Sequence, residues 1–245
     1  MLVQICDMHG HFLPGMDDGC KDVQEAVALL RYSYSTGVRM MFATPHYYPV
    51  ESVEDFLRRR QESFEALQAY AEANGIADIP QILLGAEVAY RQGIGNVEEL
   101  EKLCLGSSRY LLLELPFEKW SNTLLREVSN ICCARGITPV FAHIERYISM
   151  QSRDAFSRIL QMDALVQINA GALLKFPGSL RCRRLIRKGM AHLLGSDCHN
   201  MEHRKPNLHL VSDWMIEHQM RIYFEEMAAL SCRIFREAQF KGEIL

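Results

Sequence analysis

Seven apolar runs, each the length of a β-strand, punctuate this chain: LVQIC (2 to 6), RMMFAT (39 to 44), QILLGAEV (81 to 88), YLLLELP (110 to 116), TPVFAHI (138 to 144), LVQINA (165 to 170) and HLLGSD (192 to 197). Several are apolar without the polar alternation of a half-exposed strand, so both of their faces must be covered. Helical spacing follows the runs: Val23, Ala26, Val27 and Leu30 fall on one face after the first, and Leu124, Val128, Ile131 and Cys132 on one face after the fourth. Strand then helix, repeated, predicts a parallel sheet of the α/β class, either a barrel or a doubly wound sheet. The stretch from 51 to 75 carries many charges, stops at Gly75 and reads as a solvated surface helix. From about Leu208 onward the pattern is one or two helices packed on the body. No linker-like stretch divides residues 1–245, which are therefore read as one domain.

Composition narrows the function classes. Lys and Arg number 27 against 30 Asp and Glu, a formal charge of -3, so no global field draws the chain to nucleic acid or to an acidic membrane. No apolar run is long enough to cross a bilayer, and the start MLVQICDMHG lacks a basic region followed by an apolar core, which together predict a cytoplasmic protein. The eight cysteines include no Cys-x-x-Cys pair and read as reduced thiols.

The chemistry collects where the predicted strands end. His9 and His11 follow the first run, with Asp17 and Asp18 soon after; then come His46, Glu87, Glu114 and Glu118, His143 with Glu145 and Arg146, and finally Asp197 and His199. In parallel α/β folds the loops at the C-terminal edge converge, so residues far apart in sequence meet in one cleft. His9 and His11 lie two apart in an extended segment and can both reach one ion. A carboxylate set within or directly behind an apolar strand is costly without a partner. Imidazole and carboxylate together suit divalent manganese, zinc or iron, and a set this large exceeds the needs of one ion. The other histidines, His192, His203, His209 and His218, show no such arrangement. Arg146 and Arg204 place guanidinium groups in reach of the same cleft, and cations flanked by planar donors are what phosphoester hydrolysis requires. Cys198 and Arg204 also match the Cys-x5-Arg spacing of cysteine-dependent phosphatases, but CHNMEHR lacks the glycine and small residues of such a loop.

The segments DMHGH, DDG, TPHYYP, GAEV, LLELP, HIERY and SDCHN, in that order across residues 7 to 200, resemble the polymerase-and-histidinol-phosphatase (PHP) superfamily. Within it the chain looks most like the bacterial manganese-dependent protein-tyrosine phosphatases of capsular and exopolysaccharide clusters. The resemblance implies a distorted (β/α)7 TIM-like barrel with three divalent metal ions at its C-terminal face, manganese first, with iron, zinc or cobalt as substitutes. It implies that His9, His11, Glu87 and Asp197 hold the first ion, and that Glu87 bridges to a second bound also by Glu114 and His143. Asp18, with Asp17 as the alternative, joins His46 and His199 around the third. For the second ion Glu114 fits the pattern better than Glu118. Arg146 and Arg204 match the phosphate-binding arginines, and the implied reaction is attack by a metal-bridging hydroxide on phosphotyrosine. The implied substrate is a bacterial tyrosine kinase with a tyrosine-rich tail. Tyr47, Tyr48 and Phe117 are candidates to pack beside the leaving phenol. The competing functions are a small-molecule phosphatase acting on histidinol phosphate and a non-catalytic kinase-binding module.

Overall fold

A computed structural model describes residues 4–240. Its strands are β1 (Ile5–Gly10), β2 (Val38–Ala43), β3 (His46–Tyr47), β4 (Gln81–Leu84), β5 (Glu87–Ala89), β6 (Tyr110–Glu114), β7 (Thr138–Phe141), β8 (Leu165–Asn169) and β9 (Leu193–Gly195). Its helices are α1 (Val23–Ser35), α2 (Val53–Ala73), α3 (Asn122–Arg135), α4 (Arg153–Leu160), α5 (Ala170–Leu173), α6 (Gly178–Arg187), α7 (Leu208–Glu217) and α8 (Arg221–Phe240). The seven runs seen in the sequence all carry strands. The first run begins in residues 1–3, outside the described residues, and its strand continues to Gly10. The run at 81–88 is interrupted, β5 following β4 across Gly85 and Ala86, and the run at 39–44 is extended by β3, which follows β2 across Thr44 and Pro45. Among the described residues nine strands therefore lie along seven lines.

Every strand pair is parallel, in the orders β1-β2-β4 and β3-β5-β6-β7-β8-β9. The end of the last line returns to the first, where the His11 N–H donates to Cys198 O at 2.8 Å and the Asp197 N–H to His9 O at 2.9 Å. The result is a curled parallel sheet in a mixed α/β fold. Along β1, Asp7 pairs with Met41 but Gly10 pairs with Ala43, so one extra residue is inserted between them. That bulge changes which side chains face inward, and it directs His9 into the curl.

The sheet has an apolar face against the helices and a second apolar cluster inside the curl. Leu111, Leu113, Phe141, Val166 and Ile168 belong to the first, with Ala26, Leu29 and Leu30 of α1 and Leu124, Val128 and Ile131 of α3. The second joins Met8, Met40, Phe42, Leu112, Val140 and Leu193 to Ile234, Phe235 and Ala238 of α8. The Phe42 and Phe235 rings meet edge to face at 5.1 Å. This apolar floor fills one end of the curl. Two residues further along the same faces the inward positions turn polar, with Glu114 beyond Leu112, and Gln167 and Asn169 beyond Leu165. Asp22, Ser52, Ser121 and Ser152 cap α1, α2, α3 and α4 by accepting from the amide three residues on. The charged 51–75 stretch is helical as expected, and it also buries Phe56 and Leu67 against the body. Among the described residues no helix is long and apolar enough to cross a membrane.

Candidate metal centre

The residues that the sequence placed at strand ends do converge. His9, His11, Glu87, His143 and His199 are each no more than 1% exposed, and Asp197 is 4% exposed. Two hydrogen bonds fix the tautomers of the first pair. His11 Nδ1 donates to Asp17 Oδ2 at 2.7 Å. His9 Nδ1 donates to Gln167 Oε1 at 3.3 Å, the same oxygen that accepts the His143 N–H at 2.7 Å. With both Nδ1 atoms donating, the two Nε2 atoms are the ring positions left to meet a cation, and they stand 3.0 Å apart. Glu87 Oε2 lies 3.1 Å from each of them, and Asp197 Oδ1 lies 3.7 Å from each. Four potential ligand atoms face one point.

Two further groups adjoin this one. Glu87 Oε2 is 3.2 Å from His46 Nδ1, and its Oε1 is 2.9 Å from His143 Nε2, which stands 3.5 Å from Glu114 Oε1. Asp18 Oδ1 is 3.3 Å from His199 Nε2 and 3.7 Å from His46 Nε2. By proximity alone the donors fall into the sets His9, His11, Asp197; His46, Glu87, Glu114; and His11, Asp18, His46, His199. His11 and His46 each belong to two sets, a looser partition than the resemblance implied, although all nine expected ligands are present.

Whether these residues fit divalent cations can be judged from the donor set. Bonds of about 2.0–2.2 Å to nitrogen and oxygen give donor-to-donor edges of roughly 3.0–3.6 Å in tetrahedral or octahedral sites. The distances of 3.0, 3.1 and 3.7 Å around His9 and His11 are of that size. His46 Nδ1, His143 Nδ1 and His199 Nε2 are buried without a hydrogen-bond partner. Electrostatics point the same way. Burial pushes the His11 imidazole down, but the Asp17 and Glu87 carboxylates overcome it and lift the group to about 10. His143, likewise opposed by burial, is lifted by Glu114 and Glu87 to about 9. Burial raises Asp197, and His9 with Arg146 outweighs it, leaving the carboxyl well below its usual range. A cluster this negative holds protons on its imidazoles unless cations replace them. The residues fit. Two of the centre's residues also adopt positive φ without being glycine, His143 at 32° and Asp197 at 54°, the kind of strain that persists where surrounding structure enforces a functional placement.

Asp17 and Asp18, adjacent and alike in sequence, have different surroundings. Asp18 faces the imidazoles, whereas Asp17 holds His11 from behind and also accepts the His46 N–H at 2.9 Å and the Gly19 N–H at 3.0 Å. A Cβ at Gly19 would stand 2.0 Å from His11 O, so the DDG turn admits no side chain there. Glu118 is exposed on the loop after β6, while Glu114 sits at the strand end. Arg146 and Arg204 both reach Asp197: Arg146 Nη2 bonds Oδ2, and Arg204 Nη2 bonds Oδ1 at 2.6 Å. Each guanidinium remains about one-third exposed, at 35% and 37%.

The aromatic expectation divides. Tyr48 stacks on His46 with centroids 5.4 Å apart and Phe117 on His143 at 6.2 Å, and both are about half exposed, at 49% and 51%. Tyr47 is not at the rim. Successive strand residues point to opposite faces, so it is buried against Phe56 at 5.2 Å. Cys198 is fully buried, and burial pushes its thiol well above its ordinary range, so it is no candidate nucleophile.

Three residues support the centre: Gln167 and Asn169 had no part in the sequence reading, whereas Asp7 stands with His9 and His11 at the end of the first run. Gln167 orients His9 and receives the His143 amide; Asn169 Nδ2 donates to Asp197 Oδ2 at 2.7 Å; Asp7 Oδ1 accepts the Ser196 N–H at 2.9 Å where β1 meets β9. A Cβ at Gly195 would lie 2.6 Å from His9 Cβ, so the strand beside that imidazole must be bare.

A family model for capsular polysaccharide synthesis proteins, CpsB/CapC, matches residues 5–232. This chain belongs to that family. Among its relatives is the tyrosine-protein phosphatase CpsB of Streptococcus pneumoniae, 32% identical over 227 residues that cover 84% of this chain and 88% of the relative. The tyrosine-protein phosphatase YwqE of Bacillus subtilis is 27% identical over 207 residues, covering 81% and 78%. A crystal structure from work on YwqE and S. pneumoniae CpsB, described as metal-dependent tyrosine phosphatases, superposes with a TM-score of 0.77 at 23% identity, covering 95% of this chain and 94% of that one. That likeness shows a shared fold. The resemblance drawn from DMHGH through SDCHN is borne out at the level of the family.

Proposed function

We propose that this chain is a metal-dependent protein-tyrosine phosphatase, and that its phosphoprotein substrate is a bacterial tyrosine kinase with a tyrosine-rich tail that controls capsular or exopolysaccharide synthesis. The observation that carries the reading is the pair of Nε2 atoms of His9 and His11 facing each other at 3.0 Å, with Glu87 against both. In this reading residues 1–245 form one cytoplasmic domain. Its sheet is a distorted (β/α)7 barrel, supported by the seven strand lines and by the contacts that join Cys198 to His11.

His9, His11, Glu87 and Asp197 would hold one divalent cation, Glu87, Glu114 and His143 a second, and Asp18, His46 and His199 a third, with manganese as the leading candidate. Bound there, such ions supply Lewis acidity and a water of lowered pKa. The protein's own groups do the rest. Asp197 anchors Arg146 and Arg204 so that their remaining N–H groups present a planar, cationic surface to phosphoryl oxygens, which suits recognition of a dianion better than two freely rotating chains would. Tyr48 and Phe117, stacked on His46 and His143 at the mouth, flank the position of the phenol ring. Gln167 and Asp17 keep the first two imidazoles in the tautomer that leaves Nε2 free.

Hydrolysis of a phosphotyrosine peptide and of histidinol phosphate, measured side by side with added manganese, tests this reading. The peptide is the expected substrate, His11→Ala and Asp197→Ala are expected to abolish turnover with the fold intact, and Cys198→Ser is expected to keep most of it. Turnover of histidinol phosphate alone, or loss confined to the cysteine variant, would refute it.

A further inference from the structure

Beside the candidate metal centre lies a second hollow of about 340 Å³. Asp197 and Arg204 form the wall it shares with the centre, and Lys175, His203, Lys205 and Asn207 line its other walls. Its two carboxylates are already engaged, Glu145 by the Asn169 N–H at 3.3 Å and Asp197 by both arginines. Its lysines are not. Among the described residues neither Lys175 nor Lys205 makes an ion pair or a side-chain hydrogen bond, whereas most other cations near the cleft are partnered. The side-chain oxygen of Asn207 is buried there with no hydrogen-bond partner. Lys175 also stands in the turn before α6, whose outer face carries Arg181, Arg184 and Arg187 and no acidic residue, with Lys188 just past its end, in a protein whose net charge is -3.

We infer that this hollow is a second anion subsite, which takes an acidic group carried by the substrate chain next to the phosphotyrosine, either a carboxylate side chain or a second phosphate. The inference rests on the phosphatase reading above. Unpartnered lysines in a concavity that opens onto Arg146 and Arg204 supply positive charge a few residues' reach from the reacting phosphate, and the unsatisfied amide of Asn207 supplies a group for a peptide N–H. A flat anionic surface cannot enter such a hollow, whereas an extended chain can. Recognition of this kind acts mainly on encounter and binding, so it shows in KM and weakens with salt.

The test uses the full chain with manganese and three phosphotyrosine peptides of equal length, flanked by alanines, by glutamates, or by a second phosphotyrosine, with free phosphotyrosine as the reference. For the wild type, kcat/KM on the glutamate or doubly phosphorylated peptide is expected to exceed that on the alanine peptide by about three- to tenfold at low salt, the size that two partly screened ion pairs give. The comparison of the two acidic peptides tells which source of charge is preferred. In the double variant Lys175→Ala, Lys205→Ala the preference should fall to near unity while free phosphotyrosine is hydrolysed as before. Equal rates on alanine and acidic peptides in the wild type, or a preference that survives the double variant, overturns the inference and leaves the phosphatase reading standing. Failure of the wild type to hydrolyse even free phosphotyrosine overturns the phosphatase reading itself.

Discussion

Asp17 offers a sharp way to separate a residue that binds a cation from one that aims a ligand. Its Oδ2 accepts His11 Nδ1 at 2.7 Å and the His46 N–H at 2.9 Å, and its Oδ1 accepts the Gly19 N–H at 3.0 Å. In Asp17→Asn an oxygen remains for His11, but a charge-assisted hydrogen bond becomes a neutral one. Such bonds contribute about 1.5–3 against about 0.5–1.5 kcal/mol, so the loss is about 1–1.5 kcal/mol, or roughly tenfold in affinity for the ion that His11 holds. In Asp17→Ala the imidazole is free to rotate and the His46 N–H loses its partner. Metal affinity should then fall by about 100-fold, the upper end for removal of a supporting carboxylate, with an added stability cost of about 1–3 kcal/mol for the orphaned amide. The assay is competition between the protein and a chromogenic chelator for manganese, with thermal unfolding of the metal-free variants alongside. At saturating metal both Asp17 variants should bind as many ions as the wild type, because every facing donor survives, whereas Asp18→Ala should bind one fewer. Loss of a whole equivalent in Asp17→Asn, or unchanged affinity in Asp17→Ala, would contradict the roles given to these two neighbours.

Two further outcomes follow from the geometry. Phe117→Ala and Tyr48→Ala, each removing a half-exposed ring stacked on an imidazole, should raise KM for a phosphotyrosine peptide by about three- to tenfold, the worth of one aromatic contact, and leave metal stoichiometry unchanged; an effect confined to kcat would remove them from substrate packing. In metal-free protein His11 and His143 bind protons up to about 10 and about 9. Because these folded-state values lie above the ordinary imidazole value of about 6.5, their contribution to stability is complete below that pH and is lost as pH rises toward 9–10. The melting temperature of the metal-free protein should fall across that window and that of the manganese-loaded protein should not, since cations then replace the protons. Parallel pH curves would contradict the reading of the centre.

Much of this was legible in the sequence, for identifiable reasons. Two-face burial makes parallel strands read as unbroken apolar runs, so all seven strand lines could be marked. The donors could be gathered because strand ends collect at one edge. What escaped notice depends on phase and on the third dimension. The bulge between Asp7 and Gly10 shifts side-chain alternation by one residue, and only the pairing partners reveal it. Gln167 and Asn169 carried a signal that went unused: two amides two apart on one face of an otherwise apolar strand, just where a buried polar group needs partners. Tyr47 and Tyr48 look equivalent in TPHYYP, and only the direction of the short β3 strand sends one to the core and the other to the mouth. Asp17 and Asp18 are the same case in a turn. The basic hollow was invisible because Lys175 and Lys205 come from different loops and no local pattern links them.

The central claim is that imidazoles and carboxylates from six strand ends grip cations together. Its most direct test is the metal content of the purified full-length chain after equilibrium dialysis against excess manganese, counted by elemental analysis beside His9→Ala and Asp197→Ala. Three bound ions per chain are expected, one for each donor group, with fewer in either variant. A wild type that leaves dialysis with no bound manganese, zinc, iron or cobalt, or variants that retain the full complement, would contradict it.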